Sequence, residues 1–201
     1  MIAIIDYDAG NLKSVEKALM YLGEECMVTR DADKILSADK VILPGVGAFG
    51  DAMNKLNKFG LVDVIRQVAV YGKPLLGICL GLQIMFESSD EAPGVEGIGL
   101  LKGKIVSIPP KEGLKIPHMG WNSLDIKNGS RLFKGIPQQS YVYFVHSYYL
   151  QASNPEDVAA TTEYSAHIHA AVEHGNVMAC QFHPEKSGDV GLHILKNFCE
   201  L

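Results

Sequence analysis

From the N-terminus to Ser89, short unbroken apolar runs alternate with stretches of helical periodicity, and that alternation restricts the fold more than any other feature. Ile2-Ala3-Ile4-Ile5 is a β-branched run closing on the turn-rich Asp6-Tyr7-Asp8-Ala9-Gly10. Leu12, Val15, Ala18, Leu19 and Leu22 then recur at helical spacing until Gly23, a residue suited to stopping a helix. Cys26–Thr29 and Val41–Leu43 read as further strands, and 51–59 and 61–71 as helices punctuated by Gly60 and Gly72. The unit repeats with a strand at Pro74–Ile78 and a helix from Leu80 to about Ser88. A strand without polar alternation has both faces covered, which predicts an α/β fold with a mostly parallel sheet between helices.

Beyond Ser89 helical periodicity fades. Lys104–Ile108, Tyr141–Val145, Val158–Thr161, Ala170–Glu173 and Val177–Phe182 read as strands between turns, an expected antiparallel extension of the sheet in the C-terminal half. Gly191, Ile194, Leu195 and Phe198 share one face of a closing helix. Neither repeat nor linker interrupts the chain, so one domain spanning 1–201 is expected. With 201 residues, 47% of them hydrophobic, the chain can build a full core unaided.

A net charge of −5 argues against nucleic acid as a partner. The longest apolar runs, such as Leu75–Leu80, fall well short of the ~18 residues of a membrane span, and no export or anchoring signal is visible. Cys26, Cys79, Cys180 and Cys199 are widely spaced, without a CxxC pair for zinc, so a reducing, cytoplasmic setting is expected. Three of them sit in apolar patterns as small buried hydrophobes.

Cys79 differs through its context. Gly77-Ile78-Cys79-Leu80-Gly81 stands between a strand and a helix, where a G-x-nucleophile-x-G elbow belongs. A tight strand-to-helix turn strains the nucleophile and leaves no room for flanking side chains, which glycine satisfies. Helix amides would favour a thiolate, and the Leu80 amide can face an oxyanion. A nucleophile needs a base and the base an orienting partner. His183-Pro184-Glu185 directly follows an apolar strand, and Pro184 holds the chain in a kink where residues two apart can face each other, so Glu185 could hold one imidazole nitrogen while the other faces Cys79.

Other features carry weaker chemistry. His167-Ile168-His169 lacks a third ligand at metal spacing, so no metal is expected. Gly45-x-Gly47-x-x-Gly50 spells a dinucleotide fingerprint, yet the nearby acids Asp51 and Asp63 fall in helical segments and the cluster is not in the first strand–helix turn. A flexible glycine loop beside the elbow, supplying a second oxyanion amide, is the better use.

Pro44-Gly45-Val46-Gly47, Gly77-Ile78-Cys79-Leu80-Gly81-Leu82-Gln83 and Phe182-His183-Pro184-Glu185 together resemble the class I, triad-type glutamine amidotransferases, over essentially the whole chain. Asp6–Leu12, Pro117-His118-Met119-Gly120-Trp121-Asn122 and Tyr143–Tyr148 look more narrowly like the glutaminase subunits of imidazole glycerol phosphate synthases. The resemblance implies a flavodoxin-like fold and hydrolysis of L-glutamine without a cofactor. Ammonia would pass to a separate (β/α)₈ cyclase subunit, for imidazole glycerol phosphate and aminoimidazole carboxamide ribotide formation in histidine biosynthesis. It further implies Cys79, His183 and Glu185 as the triad, with Leu80 and an amide near Val46 or Gly47 as oxyanion donors. Gln83 and Glu91 would hold the polar end of glutamine, Ser147 and Tyr148 its carboxylate, and Asn11, Trp121 and Lys186 would face the partner. By their residues alone, Glu91 could equally be solvated, His146 packed and Trp121 a lid on the local core. Alternative readings are a glutaminase for another synthase, a stand-alone cysteine hydrolase, or a non-enzymatic scaffold.

Overall fold

In the computed structural model, which describes residues 1–8 and 10–201, every residue of β1 (Ile2–Ile5) is buried. It runs parallel to both β2 (Cys26–Thr29) and β3 (Lys40–Gly45), and β3 runs parallel to β4 (Leu75–Cys79). The crossovers carry α1 (Leu12–Tyr21), α2 (Ala32–Ser37), α3 (Phe49–Lys58) and α4 (Leu61–Val70), and α5 (Leu80–Ile84) follows β4 directly. The C-terminal half contains β5 (Ser88–Ser89), β6 (Gly103–Ser107), β7 (His118–Ser123), β8 (Asp125–Ile126), β9 (Tyr141–His146), β10 (Tyr148–Ala152), β11 (Val158–Tyr164), β12 (Ala166–His174) and β13 (Val177–Cys180), and closes with α6 (Gly188–Cys199).

Successive residues of the parallel strands feed two cores, which is why the apolar runs show no polar alternation. Ile2, Ile4, Ile42, Leu76 and Ile78 pack with Val15 and Leu19 of α1 and Ile194, Leu195 and Phe198 of α6. Ala3, Ile5, Val41, Leu43 and Leu75 pack on the opposite face with Ile35, Met53, Leu56, Ile65 and Val68 of α2 to α4. Fully burying one such side chain contributes about 1.5–3 kcal/mol, so both helix layers bind the sheet firmly.

The principal sheet runs β2-β1-β3-β4-β13-β12-β10-β6-β5, with β11 beside β12 and β8 beside β11. β13 is parallel to β4, whereas β12 is antiparallel to β13, and β10 to both β12 and β6, so the expected antiparallel extension is present. Three details depart from the sequence reading. Tyr141–His146 does not extend the principal sheet but forms a separate antiparallel pair with β7, so His118–Ser123, absent from the strands read from the sequence, is one. The helix after Cys79 ends at Ile84 rather than near Ser88, because the carbonyls of Ile84, Met85 and Phe86 accept amides from Ile98, Leu100 and Gly99 instead of continuing the helix. Finally, α2 was not anticipated; Asp31 caps it by accepting from the Asp33 and Lys34 amides.

Among the described residues, no helix is long and apolar enough to cross a membrane. All four cysteines are free thiols, with Cys26 half-buried and the others buried. The parallel register sets Gly45 beside Cys79 and Cys180 beside Ile78, so the glycine loop, the elbow and His183 converge at the carboxyl ends of β3, β4 and β13. Open parallel sheets bind their ligands at that edge.

Candidate active site

β4 delivers Cys79 with φ 55° and ψ −107°, a positive-φ backbone for a residue bearing a β-carbon. Such strain costs about 1–3 kcal/mol and persists only where the surroundings impose it. The flanking glycines show how they do so. A β-carbon on Gly81 would lie 1.8 Å from the Leu43 carbonyl oxygen, and one on Gly77 would lie 2.9 Å from the Gly81 carbonyl and the Met85 sulfur. The elbow therefore packs its backbone directly on β3.

His183 emerges just past β13, and Pro184–Lys186 form a single 3₁₀ turn that folds Glu185 back onto it. Nδ1 of His183 lies 2.7 Å from Oε1 of Glu185, and both side chains are shut off from solvent. The same Oε1 accepts a hydrogen bond from the Asn11 amide. Nε2 of His183 is buried without a hydrogen-bond partner among the described residues. His183 and Cys79 both line one cavity of about 390 Å³.

Burial opposes a charge on His183, but neighbouring Cys79 and Glu185 outweigh it and push the imidazole up to about 9. Because this lies above the ordinary value of about 6.5, the imidazolium stabilises the fold fully below that pH, and the contribution is lost as pH rises through about 9. A ¹⁵N NMR titration should place the His183 midpoint near 9 in the native chain and lower in Glu185→Gln. Equal midpoints would show that the carboxylate does not act on the ring.

The cavity is lined by Val46, Gly47, Leu80, Gln83, Glu91, Ser147 and Tyr148, together with Pro117, Val145 and His146, so the sequence-predicted substrate and oxyanion residues all reach it. Gln83 donates both amide hydrogens inward, to the Tyr148 carbonyl and to Gln181 Oε1, each at 3.0 Å. Glu91 accepts the Phe49 amide at 2.8 Å and so caps α3, whose own N-cap residue, Ala48, has no side chain to do so. Gly47 holds φ 106°, which a bulkier residue would resist.

The expected partner-facing residues divide. Trp121 is 55% exposed and meets Tyr143 edge-on, and Lys186 is exposed. Asn11 is half-buried and turns its amide onto Glu185. The His167–His169 pair serves local structure: His167 pairs with Glu163, and His169 accepts the Ala152 amide.

Several residues escaped the sequence reading. Gln181 is fully buried and points its amide at the Cys79 sulfur from 3.7 Å. Its one signal was a lone amide in the otherwise apolar run Val177–Phe182. Ser187 pins the His183–Lys186 turn by donating to the His183 carbonyl at 2.6 Å and accepting the Tyr143 amide at 2.9 Å. Tyr7 is buried beneath the glycine loop, where a β-carbon on Gly45 would lie 2.2 Å from its hydroxyl oxygen. Burial pushes that phenol's pKa up.

The chain belongs to the class-I glutamine amidotransferase family, whose model matches residues 3–201 and so takes in every strand that frames the cavity. Within that class the nearer likeness is to proteins described as "Imidazole glycerol phosphate synthase subunit HisH". The one from Caldanaerobacter subterraneus subsp. tengcongensis is 52% identical over 201 residues, covering all of this chain and 98% of that protein. The one from Methanothermobacter thermautotrophicus is 50% identical over 201 residues with the same coverage. Among solved structures, the fold is similar to a "Crystal structure of glutamine amidotransferase", with TM-score 0.76, 19% identity, and coverage of 99% of this chain and 100% of that one. It is also similar to the "Structure of PurLQS from Thermotoga maritima", with TM-score 0.76, 21% identity, and coverage of 99% and 97%.

Proposed function

We propose that this chain is the glutaminase subunit of a cytoplasmic imidazole glycerol phosphate synthase and releases ammonia from L-glutamine to a (β/α)₈ cyclase partner. The observation that carries the reading is Cys79, strained at the elbow and lining one cavity with His183, whose Nε2 has no hydrogen-bond partner among the described residues. The relatives named as synthase subunits, about half identical over the full length, supply the biosynthetic setting.

In this mechanism the Cys79 thiolate attacks the side-chain amide carbon of glutamine, and the carbonyl π pair moves onto oxygen. The amides of Leu80 and of Val46 or Gly47 hold that oxyanion, where losing one donor typically costs about 10²–10³ in rate. His183 gives its Nε2 proton to the amide nitrogen as the C–N bond breaks, and ammonia leaves. Nε2 then takes a proton from water, the hydroxide attacks the thioester, and glutamate departs as the C–S bond breaks and the thiolate is restored. Glu185 keeps the ring oriented through Nδ1 and stabilises its charged form.

Substrate recognition follows from the groups left free. With both amide hydrogens of Gln83 engaged, its carbonyl oxygen is the atom able to accept from the glutamine α-ammonium, assisted by the uncommitted oxygen of Glu91. The backbone of Ser147 and Tyr148 faces the α-carboxylate. Trp121 and Lys186 face the cyclase, and Asn11 connects that side to the triad through Glu185.

Ammonia released without an acceptor wastes glutamine, so the isolated chain should turn over slowly. Adding the cyclase subunit is expected to raise hydrolysis by at least about tenfold, a coupling of ordinary size for linked sites. Ammonia release measured with and without the partner decides this. Equal rates would end the coupling, and no hydrolysis in either case would end the glutaminase reading.

A further inference from the structure

The strand pair β7–β9 carries two buried histidines to which the triad gives no task. His146 lines the catalytic cavity, and His118 lies behind it, its Nδ1 3.0 Å from His146 Nε2. His118 is clamped between Phe144 and Tyr164, with ring centroids 4.8 and 3.8 Å away and interplanar angles of 20° and 15°. Tyr164 is itself tied down, donating its hydroxyl to the Lys115 carbonyl at 2.6 Å.

Both ends of this array have a fixed hydrogen-bond sense. At the far end, Asn122 accepts the Ser123 amide on Oδ1 at 2.9 Å and donates from Nδ2 to the Glu163 carbonyl at 3.0 Å, which settles the orientation of its amide. The group it presents to His118 Nε2, at 3.4 Å, is therefore a donor. At the near end, His146 Nδ1 lies 2.8 Å from the Tyr148 carbonyl, which can only accept. The assignment between them follows. Asn122 donates to His118 Nε2, His118 Nδ1–H donates to His146 Nε2, and His146 Nδ1–H donates to Tyr148. A proton added to either ring would set two donors against each other.

We propose that His118 and His146 form a one-way relay of neutral imidazoles that positions the Ser147–Tyr148 wall of the catalytic cavity, which makes His118 a positioning residue for the substrate. The Tyr148 carbonyl is the junction. It accepts from His146 and from Gln83, and Gln83 also donates to Gln181, whose amide meets the Cys79 sulfur. The outer end of the relay lies on β7, where Met119 and Trp121 are exposed. Desolvation favours the neutral rings the relay requires, lowering His118 to about 4 and His146 to about 3.

Only the kinetic consequence rests on the glutaminase reading. Two-bond ¹H–¹⁵N spectra of the intact chain at neutral pH are expected to show both rings uncharged and protonated at Nδ1. An Nε2–H tautomer or a charged form of either ring overturns the relay, and this measurement needs no variant. His118→Phe keeps an aromatic ring in the stack but removes both nitrogens. Assayed with the cyclase partner, it should raise KM for glutamine about tenfold while kcat stays within about twofold, the pattern of lost binding common to ground and transition states. His118→Gln can accept from Asn122 and donate to His146, and should recover most of the loss. An unchanged KM in His118→Phe, or a fall in kcat as large as the rise in KM, overturns the positioning role. If the native chain did not hydrolyse glutamine, the function would fail and the tautomers alone would decide the relay.

Discussion

Alanine in place of Cys79 is expected to cut glutamine hydrolysis by about four to six orders of magnitude while leaving the fold intact, as losing a catalytic nucleophile does elsewhere. The nearest other thiol cannot take over. Cys180 is fully buried one register step from the elbow, donates to the Phe182 carbonyl at 3.5 Å, and has its pKa pushed well up by burial. The Gln181 amide meets the sulfur at a long 3.7 Å, so losing that contact should cost the fold little, roughly 1 kcal/mol. Serine should fare little better, because a hydroxyl is far less acidic than a thiol and a much weaker nucleophile at neutral pH. Ammonia release measured alongside a thermal melt tests both halves. Activity within tenfold of the native chain would place the nucleophile elsewhere.

The second large effect is structural. Gly81→Ala would drive a β-carbon to 1.8 Å from the Leu43 carbonyl oxygen, an overlap that no rotamer relieves because the backbone fixes the position of the β-carbon and the oxygen is itself backbone. Leu43 lies in β3, bonded between β1 and β4, so β3 cannot yield without disturbing the centre of the sheet. A loss of about 3–5 kcal/mol is expected, a large share of an ordinary domain's 5–15 kcal/mol. Any protein that still folds should lose activity, since relieving the overlap moves Cys79. Gly50→Ala is the control. In α3, its β-carbon would stand 3.3 Å from that of Ala92, and gain in helix propensity offsets the tight contact, leaving a change within about 1 kcal/mol. Urea denaturation of both variants measures the difference, and equal midpoints would mean that the elbow does not bear on Leu43.

Much of the site was legible because its chemistry is local. The two glycines around Cys79 lie within two residues of it, and Pro184 fixes the kink that brings Glu185 onto His183 within a three-residue turn. The glycine loop required one further inference, that neighbouring parallel strands end at the same edge, and the Gly45–Cys79 register has that form. Glu91 was less legible. Its role as the cap of α3 depends on an amide 42 residues earlier, and nothing beside Glu91 in the sequence announces it.

By itself, the sequence determined the layered α/β plan, the elbow and the histidine–acid turn, since hydrophobic periodicity, backbone sterics and near-neighbour geometry act over a few residues. Tertiary structure decided where long-range hydrogen bonds go. It set Tyr141–His146 against His118–Ser123 rather than in the principal sheet, ended α5 at Ile84, and turned Asn11 onto a carboxylate 174 residues away. It also joined His118 to His146 and Gln181 to Cys79. The physical reason is common to all of these: a polar group records in its own neighbourhood that it needs a partner, and only the folded chain selects which partner reaches it.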